Sequence, residues 1–147
     1  MKLVIQRVFS ASVKKAETKE VVGKIGHGLF ILLGVGKEDG FKKAESLTEK
    51  VSKLRILSDK EGKMNLSVLD KKEEVLVVSQ FTLIAETKGQ NRPSFIDAAL
   101  PDGAKQIYEH FIQKLREKRI RVETGSFGDY MEIEAKLDGP VTILLEA

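Results

Sequence analysis

The run Leu29-Phe30-Ile31-Leu32-Leu33-Gly34-Val35 constrains this chain more than any other segment. It carries no charge, and glycine turns bound it at Gly26-His27-Gly28 and at Gly36 to Gly40. That is the length and composition of a strand buried on both faces. Glu74 to Val78 repeats the pattern as a second buried strand. Between them the period changes: Ala44, Leu47, Val51 and Leu54 recur at helical spacing among lysines and glutamates, which predicts an amphipathic helix over Phe41 to Leu54.

The remaining segments fill in around these. Lys2 to Val13 alternates β-branched and polar residues, Lys14 to Glu20 is a polar tip, and Val21 to Ile25 resumes extended character, so the chain opens with a hairpin. Arg55 to Leu57 reads as a short strand, followed by a polar segment around Asp59 to Lys63. A second helix starts at Pro101, where proline suits the first turn and Asp102 the positive end of the dipole, and Arg116, Lys118 and Arg119 crowd its last turn. Three extended segments close the chain at Arg121 to Glu123, Tyr130 to Leu137 and Val141 to Glu146. The order β-β-β-α-β-β-α-β-β-β mixes hairpins with helical crossovers, and it predicts one α/β or α+β domain over residues 1–147 with helices on one face of a sheet.

Composition removes several classes of chemistry. With no cysteine there is no disulfide, thiolate metal site or thiol nucleophile. The N-terminal segment meets charge before any signal-peptide apolar region forms, and no apolar run approaches the ~20 residues of a membrane span, so the expectation is a soluble, cytoplasmic protein without a membrane partner. A net charge of +3 admits an anionic partner such as RNA, although both signs are interspersed as on ordinary solvated faces. Neither a Gly-x-Ser-x-Gly elbow nor a phosphate-binding glycine loop is present. The two histidines, His27 in a turn and His110 on the polar side of a helix, form no triad, and nothing is spaced to bind a metal or cofactor.

Two polar segments stand out against that background. Ser79-Gln80-Phe81-Thr82 follows directly on the buried strand, so two hydroxyls and an amide arrive at its C-terminal end. They either satisfy neighbouring backbone or, with exposed N–H groups, form an oxyanion hole built on rigid structure. Asn91-Arg92-Pro93-Ser94-Phe95 reads as a turn in which Ser94 caps and Phe95 anchors; Gly139-Pro140 reads as a turn before a last strand.

Taken together and in order, these segments resemble one enzyme family, the D-aminoacyl-tRNA deacylases. The resemblance runs through MKLVIQRVFSASV (1–13), VVGKIG (21–26), KMNLSVL (63–69), VLVVSQFTL (75–83), NRPSFIDA (91–98), VETGSFG (122–128) and GPVTIL (139–144). It implies two stacked β-sheets with helices covering one outer face, a three-layer α/β/β arrangement, and a homodimer whose active sites are completed across the subunit boundary. The implied reaction is hydrolysis of the ester joining a D-amino acid, or glycine mischarged on alanine tRNA, to the terminal ribose. The implied roles fall on Gln80, Phe81 and Thr82 as catalytic residues and on Ser79, Phe95 and Met131 as substrate-binding ones. Gly139 and Pro140 would be a Gly-cisPro chirality filter supported by Arg7, and Asn91 and Arg92 would contact tRNA or shape its loop. No cofactor or metal is implied. Thr82 has been considered a nucleophile in the family, but a backbone- and substrate-assisted mechanism fits the missing base better.

The chain departs from the family pattern in a hairpin tip longer by about two residues after Val13, in Gly89-Gln90 before Asn91, in Asp129 and in Leu137. None of these falls in Ser79 to Thr82 or in Gly139-Pro140. The other readings are a non-catalytic RNA-binding module, for which the low aromatic content of 6% offers few stacking platforms, and an editing relative specific for L-aminoacyl esters.

Overall fold

The computed structural model describes residues 1–147. Its elements, in chain order, are β1 (Lys2–Lys15), β2 (Val21–Ile25), β3 (Gly28–Gly34), α1 (Phe41–Lys53), β4 (Leu57–Ser58), β5 (Met64–Leu66), α2 (Val68–Lys71), β6 (Glu74–Ser79), a 3₁₀ turn (Phe81–Ile84), α3 (Pro101–Glu117), β7 (Val122–Thr124) and β8 (Met131–Glu146). The two apolar runs are neighbours: β3 and β6 pair in parallel in the order β2-β1-β3-β6-β7, and β8 pairs along the other edge of β1.

Both faces of the β3–β6 pair are covered, as their uninterrupted apolar character demands. On one face Leu29, Ile31, Leu33, Val75 and Val77 pack with Ala44, Leu47 and Val51 of α1 and with Ile107, Phe111 and Leu115 of α3. On the other, Phe30, Leu76 and Val78 meet Val8, Ala11 and Val13 from the far half of β1 and Ile25 of β2. The result is the expected helix, sheet, sheet layering. Its two sheet layers are continuous through β1, which leaves β3 after Val8 and pairs with β2 from Ala11 onwards.

Several boundaries differ from the sequence expectation. The two closing strands are one, β8, paired with β1 from Lys2↔Glu146 to Lys15↔Met131, with register shifts around Val8 that absorb Gly139 and Pro140. A bulge of this kind keeps a ladder running where Gly-Pro on its own reads as a turn. The fourth strand is Leu57–Ser58, not Arg55 to Leu57, because its ladder with β5 consists of Leu57↔Leu66 and Ser58↔Met64, while Arg55 reaches Asn65 through its guanidinium. The polar segment Asp59 to Lys63 is followed by β5 and then α2, whose Ser67/Asp70 capping box holds a single turn of helix. Arg119 lies beyond α3 with a left-handed φ of 64°.

Candidate functional site

Several of the candidate residues gather where β6 ends. Ser79 is the last residue of the strand, and Gln80 donates its backbone N–H to the Leu33 carbonyl at 2.8 Å before the chain folds into the 3₁₀ turn. That turn lies hard against β3: a Cβ on Gly34 would stand 2.9 Å from both the Gln80 carbonyl oxygen and Leu83 Cβ. The bonds closing the turn begin at the Leu83 N–H, which donates to the Gln80 carbonyl at 3.3 Å. The N–H groups of Phe81 and Thr82 therefore lie at the open N-terminal end, where a turn supplies no partner of its own.

Side chains complete this shelf. Gln80 Nε2 donates to Thr82 Oγ1. Phe81, more than half exposed, meets Phe95 edge to face with ring centroids 5.0 Å apart. Phe95 is brought there by a backbone bridge in which Glu86 and Ser94 exchange two hydrogen bonds of 2.9 Å, leaving Asn91 and Arg92 on the exposed loop beyond it. Met131 arrives from β8: its sulfur accepts the Ser126 N–H at 3.2 Å, and with a Val78 methyl it fills the space above Gly125. The strand end is braced from the helix side by Tyr108, whose hydroxyl donates to the Val77 carbonyl at 2.8 Å; burial pushes its ionisation well above the usual tyrosine range.

The fold does not bring Gly139 and Pro140 to this shelf. Leu3, Leu33 and Ser79 share one rung of the sheet, whereas Gly139 and Pro140 lie opposite Arg7. Four residues along the strand is about 13 Å and three strand spacings about 14 Å, so the separation is on the order of 20 Å. The Gly139–Pro140 peptide bond is cis. Gly139 has φ 129°, and a Cβ there would stand 2.8 Å from Val141 Cγ2, so this position accepts only glycine.

Arg7 grips the residue before that bend. Its Nε lies 3.0 Å from Asp138 Oδ2 and donates to the Asp138 carbonyl at 3.3 Å, while Nη1 donates to the Ile56 carbonyl at 2.9 Å and to Ser58 Oγ at 3.2 Å. Asp138, Ile56 and Ser58 are the partners that sequence reasoning missed. Only Asp138, a carboxylate abutting Gly-Pro, carried a local signal.

The shelf contains hydroxyls, an amide, aromatic rings and backbone donors, but no imidazole, carboxylate or amine from the residues that form it. His110 is elsewhere, 2.9 Å from Glu45 on the helix layer, and His27 meets Phe9 edge to face. No group of three or more His, Asp or Glu side chains is arranged to hold a metal. A groove of about 660 Å³ between α1 and α3 is lined by no hydrophobic residue, unlike sites that bury an organic ligand. What the strand end can do chemically is bind an ester carbonyl and stabilise charge on its oxygen, with the base supplied from outside the protein.

Known proteins share the whole of this chain. The sequence model of the D-Tyr-tRNA(Tyr) deacylase family matches residues 4–146. A D-aminoacyl-tRNA deacylase from Thermosipho melanesiensis is 50% identical over all of this chain and 97% of its own, and one from Brevibacillus brevis is 49% identical over the full length of both. Among solved structures, a c-Myc DNA unwinding element binding protein superposes with a TM-score of 0.92 at 41% identity, covering 100% of this chain and 99% of its own. A probable eukaryotic D-amino acid tRNA deacylase superposes at 0.83 with 15% identity, covering 98% and 97%, a likeness of fold. With the family model spanning nearly every residue and the relatives aligned end to end, this chain belongs to the D-Tyr-tRNA(Tyr) deacylase family.

Proposed function

We propose that this protein hydrolyses the ester of D-aminoacyl-tRNA, releasing free D-amino acid and tRNA, and acts in the cytoplasm, where charged tRNA reaches ribosomes. The observation that carries the reading is the end-to-end identity of about half with relatives named for that activity. The strand-end chemistry is suited to it. An aminoacyl ester is already activated, and the ribose 2′-OH beside it can orient or deprotonate water. Water adds to the carbonyl carbon, the negative charge collects on the carbonyl oxygen, and the bond to the ribose oxygen breaks with that oxygen taking the proton. The protein then has to supply position and oxyanion donors, worth roughly 3–4 kcal/mol each. Phe81 and Thr82 N–H are those donors, Ser79, Gln80, Phe95 and Met131 hold the aminoacyl-adenosine, and Asn91 and Arg92 face the tRNA.

Discrimination against L substrates comes from Gly139 and Pro140, held by Arg7 through Asp138. Backbone carbonyls beside the substrate Cα admit hydrogen and exclude a side chain, and glycine, which has none, passes. Because these residues lie on the order of 20 Å from Ser79 within one chain, the filter of each site comes from a second copy. The free outer edge of β8 is where that copy binds: sixteen residues long and unpaired, it carries the exposed apolar side chains Ile133 and Leu137.

Deacylation of matched D-tyrosyl-, L-tyrosyl- and glycyl-tRNA tests the proposal. The D-tyrosyl and glycyl esters are cleaved and the L-tyrosyl ester is spared. Thr82→Ala retains activity, because no threonine nucleophile is needed. Survival of all three esters at high enzyme concentration would overturn the reading in favour of nucleic-acid binding without catalysis.

A further inference from the structure

We propose that the loop from Thr87 to Pro93 is a phosphate clamp, with Lys88 and Arg92 contacting the backbone of the nucleotides next to the terminal adenosine of the tRNA. This rests on the deacylase reading and divides its substrate between two parts of the surface. The ester and its adenosine belong to the strand end, and the preceding phosphates to this loop.

Lys14 is paired with Glu132 and Glu134, Lys15 with Asp129, and Lys37 with Asp97, so these three lysines of β1 and of the β3–α1 connection already spend their charge within the protein. Lys88 and Arg92 are exposed and form no ion pair. The one carboxylate at the loop's base, Glu86, accepts the backbone N–H of Lys88 and leaves its ammonium alone.

The loop is also built to hold its shape. The Glu86–Ser94 bridge closes it, the Gln90 N–H donates to the Thr87 carbonyl at 3.2 Å, Gln90 Nε2 donates to the Glu86 carbonyl at 3.2 Å, and Gly89 turns the tip at φ 74°. Three residues a side reach about 10 Å at most beyond the bridge. That bridge is one residue from Phe95, which touches Phe81. Two unpaired cations are thus held within a nucleotide or two of the position where the strand end takes the ester. Single-stranded RNA entering there presents a phosphate at each nucleotide, which is the ligand such cations select.

Hydrolysis of D-tyrosyl-tRNA and of D-tyrosyl-adenosine, an ester without phosphates, tests this when followed against KCl concentration. For the double variant Lys88→Ala/Arg92→Ala, kcat/KM for the tRNA falls roughly tenfold relative to kcat/KM for the small ester at 0.1 M salt. Its dependence of log kcat/KM on log salt becomes shallower by about 1.4, roughly 0.7 for each lost contact to a single strand. Lys88→Arg/Arg92→Lys restores both. Lys50→Ala/Lys60→Ala removes the same charge from α1 and from the turn before β5, and leaves the ratio and slope as in wild type. A ratio and slope unmoved by Lys88→Ala/Arg92→Ala, or moved equally by Lys50→Ala/Lys60→Ala, would overturn the clamp while the deacylase reading stands. A wild-type protein that cleaves neither ester would overturn both.

Discussion

Removing one backbone N–H separates an oxyanion hole from a merely polar strand end. Phe81→Pro deletes the donor, and the position suits proline: it opens a 3₁₀ turn, and Gln80 before it is extended at φ −144°, ψ 90°, outside the helical region that a following proline disfavours. Phe81→Ala removes the same ring and keeps the N–H. The account predicts that Phe81→Pro lowers kcat on D-tyrosyl-tRNA by about 10²-fold beyond Phe81→Ala, the usual cost of one oxyanion donor. Equal rates for the two variants would assign the donor elsewhere. At this scale the sequence is legible only in part. Ser79 and Gln80 announce polarity at a strand end, but Ser-Gln-x-Thr by itself reads as satisfied sheet backbone, and the family resemblance is what singled it out. The Phe81–Phe95 contact and the grip of Arg7 on Asp138, 131 residues away, leave no local trace because they are made by the fold.

Between elements, the clearest electrostatic joint is Asp39, which ties the β3–α1 connection to Lys43 at 2.8 Å and to the Met1 ammonium at 2.5 Å, with the Gly36 N–H donating to it at 2.6 Å. Burial alone would raise the Asp39 carboxyl, but Lys43, the ammonium and that N–H outweigh it and hold it below the ordinary carboxylate range. A carboxyl lowered by folding stabilises the fold above its unfolded pKa, and the contribution fades as pH falls through the folded value. Asp39→Asn is therefore less stable than wild type at pH 7, and the gap in Tm narrows as pH falls below about 4. A gap that is constant from pH 7 to pH 3 would show that the charge of Asp39 contributes nothing.

The two helices and the two buried strands were legible because their apolar periods span ten residues or more, or because no charge interrupts them. The short pieces were not. In β4, β5 and the 3₁₀ turn, two to four residues are held by neighbours and display no period of their own. The capping box of α2 was a readable signal, since Ser67 and Asp70 stand three apart at its start. The single strand β8 was hidden by Gly139-Pro140, which looks like a terminator until β1 is seen pairing on both sides of it.

For the whole molecule, the sheet register is the observation on which the proposed dimer rests. Ser79 to Thr82 stand at one end of β6, Gly139 and Pro140 stand on the order of 20 Å away, and the strand that carries them has an open edge. On the proposed function one chain has a shelf and a filter that cannot meet, and a dimer in which two copies exchange them is the arrangement that reading requires. Mixing two defective variants measures this directly. Phe81→Pro loses the donor, and Gly139→Ala forces a methyl into a position that holds glycine at φ 129°. Phe81→Pro is slower on D-tyrosyl-tRNA by about 10²-fold, and the bend displaced by Gly139→Ala closes on the substrate Cα, so each alone has little activity. After the two are unfolded and refolded together in equal amounts, half the dimers are mixed, and each mixed dimer carries one site with an intact Phe81 N–H and an intact Gly139. The account predicts recovery of about a quarter of wild-type activity, from random pairing in a symmetric dimer. A refolded mixture no more active than its parts, with mixed dimers present, would contradict a site shared between two copies.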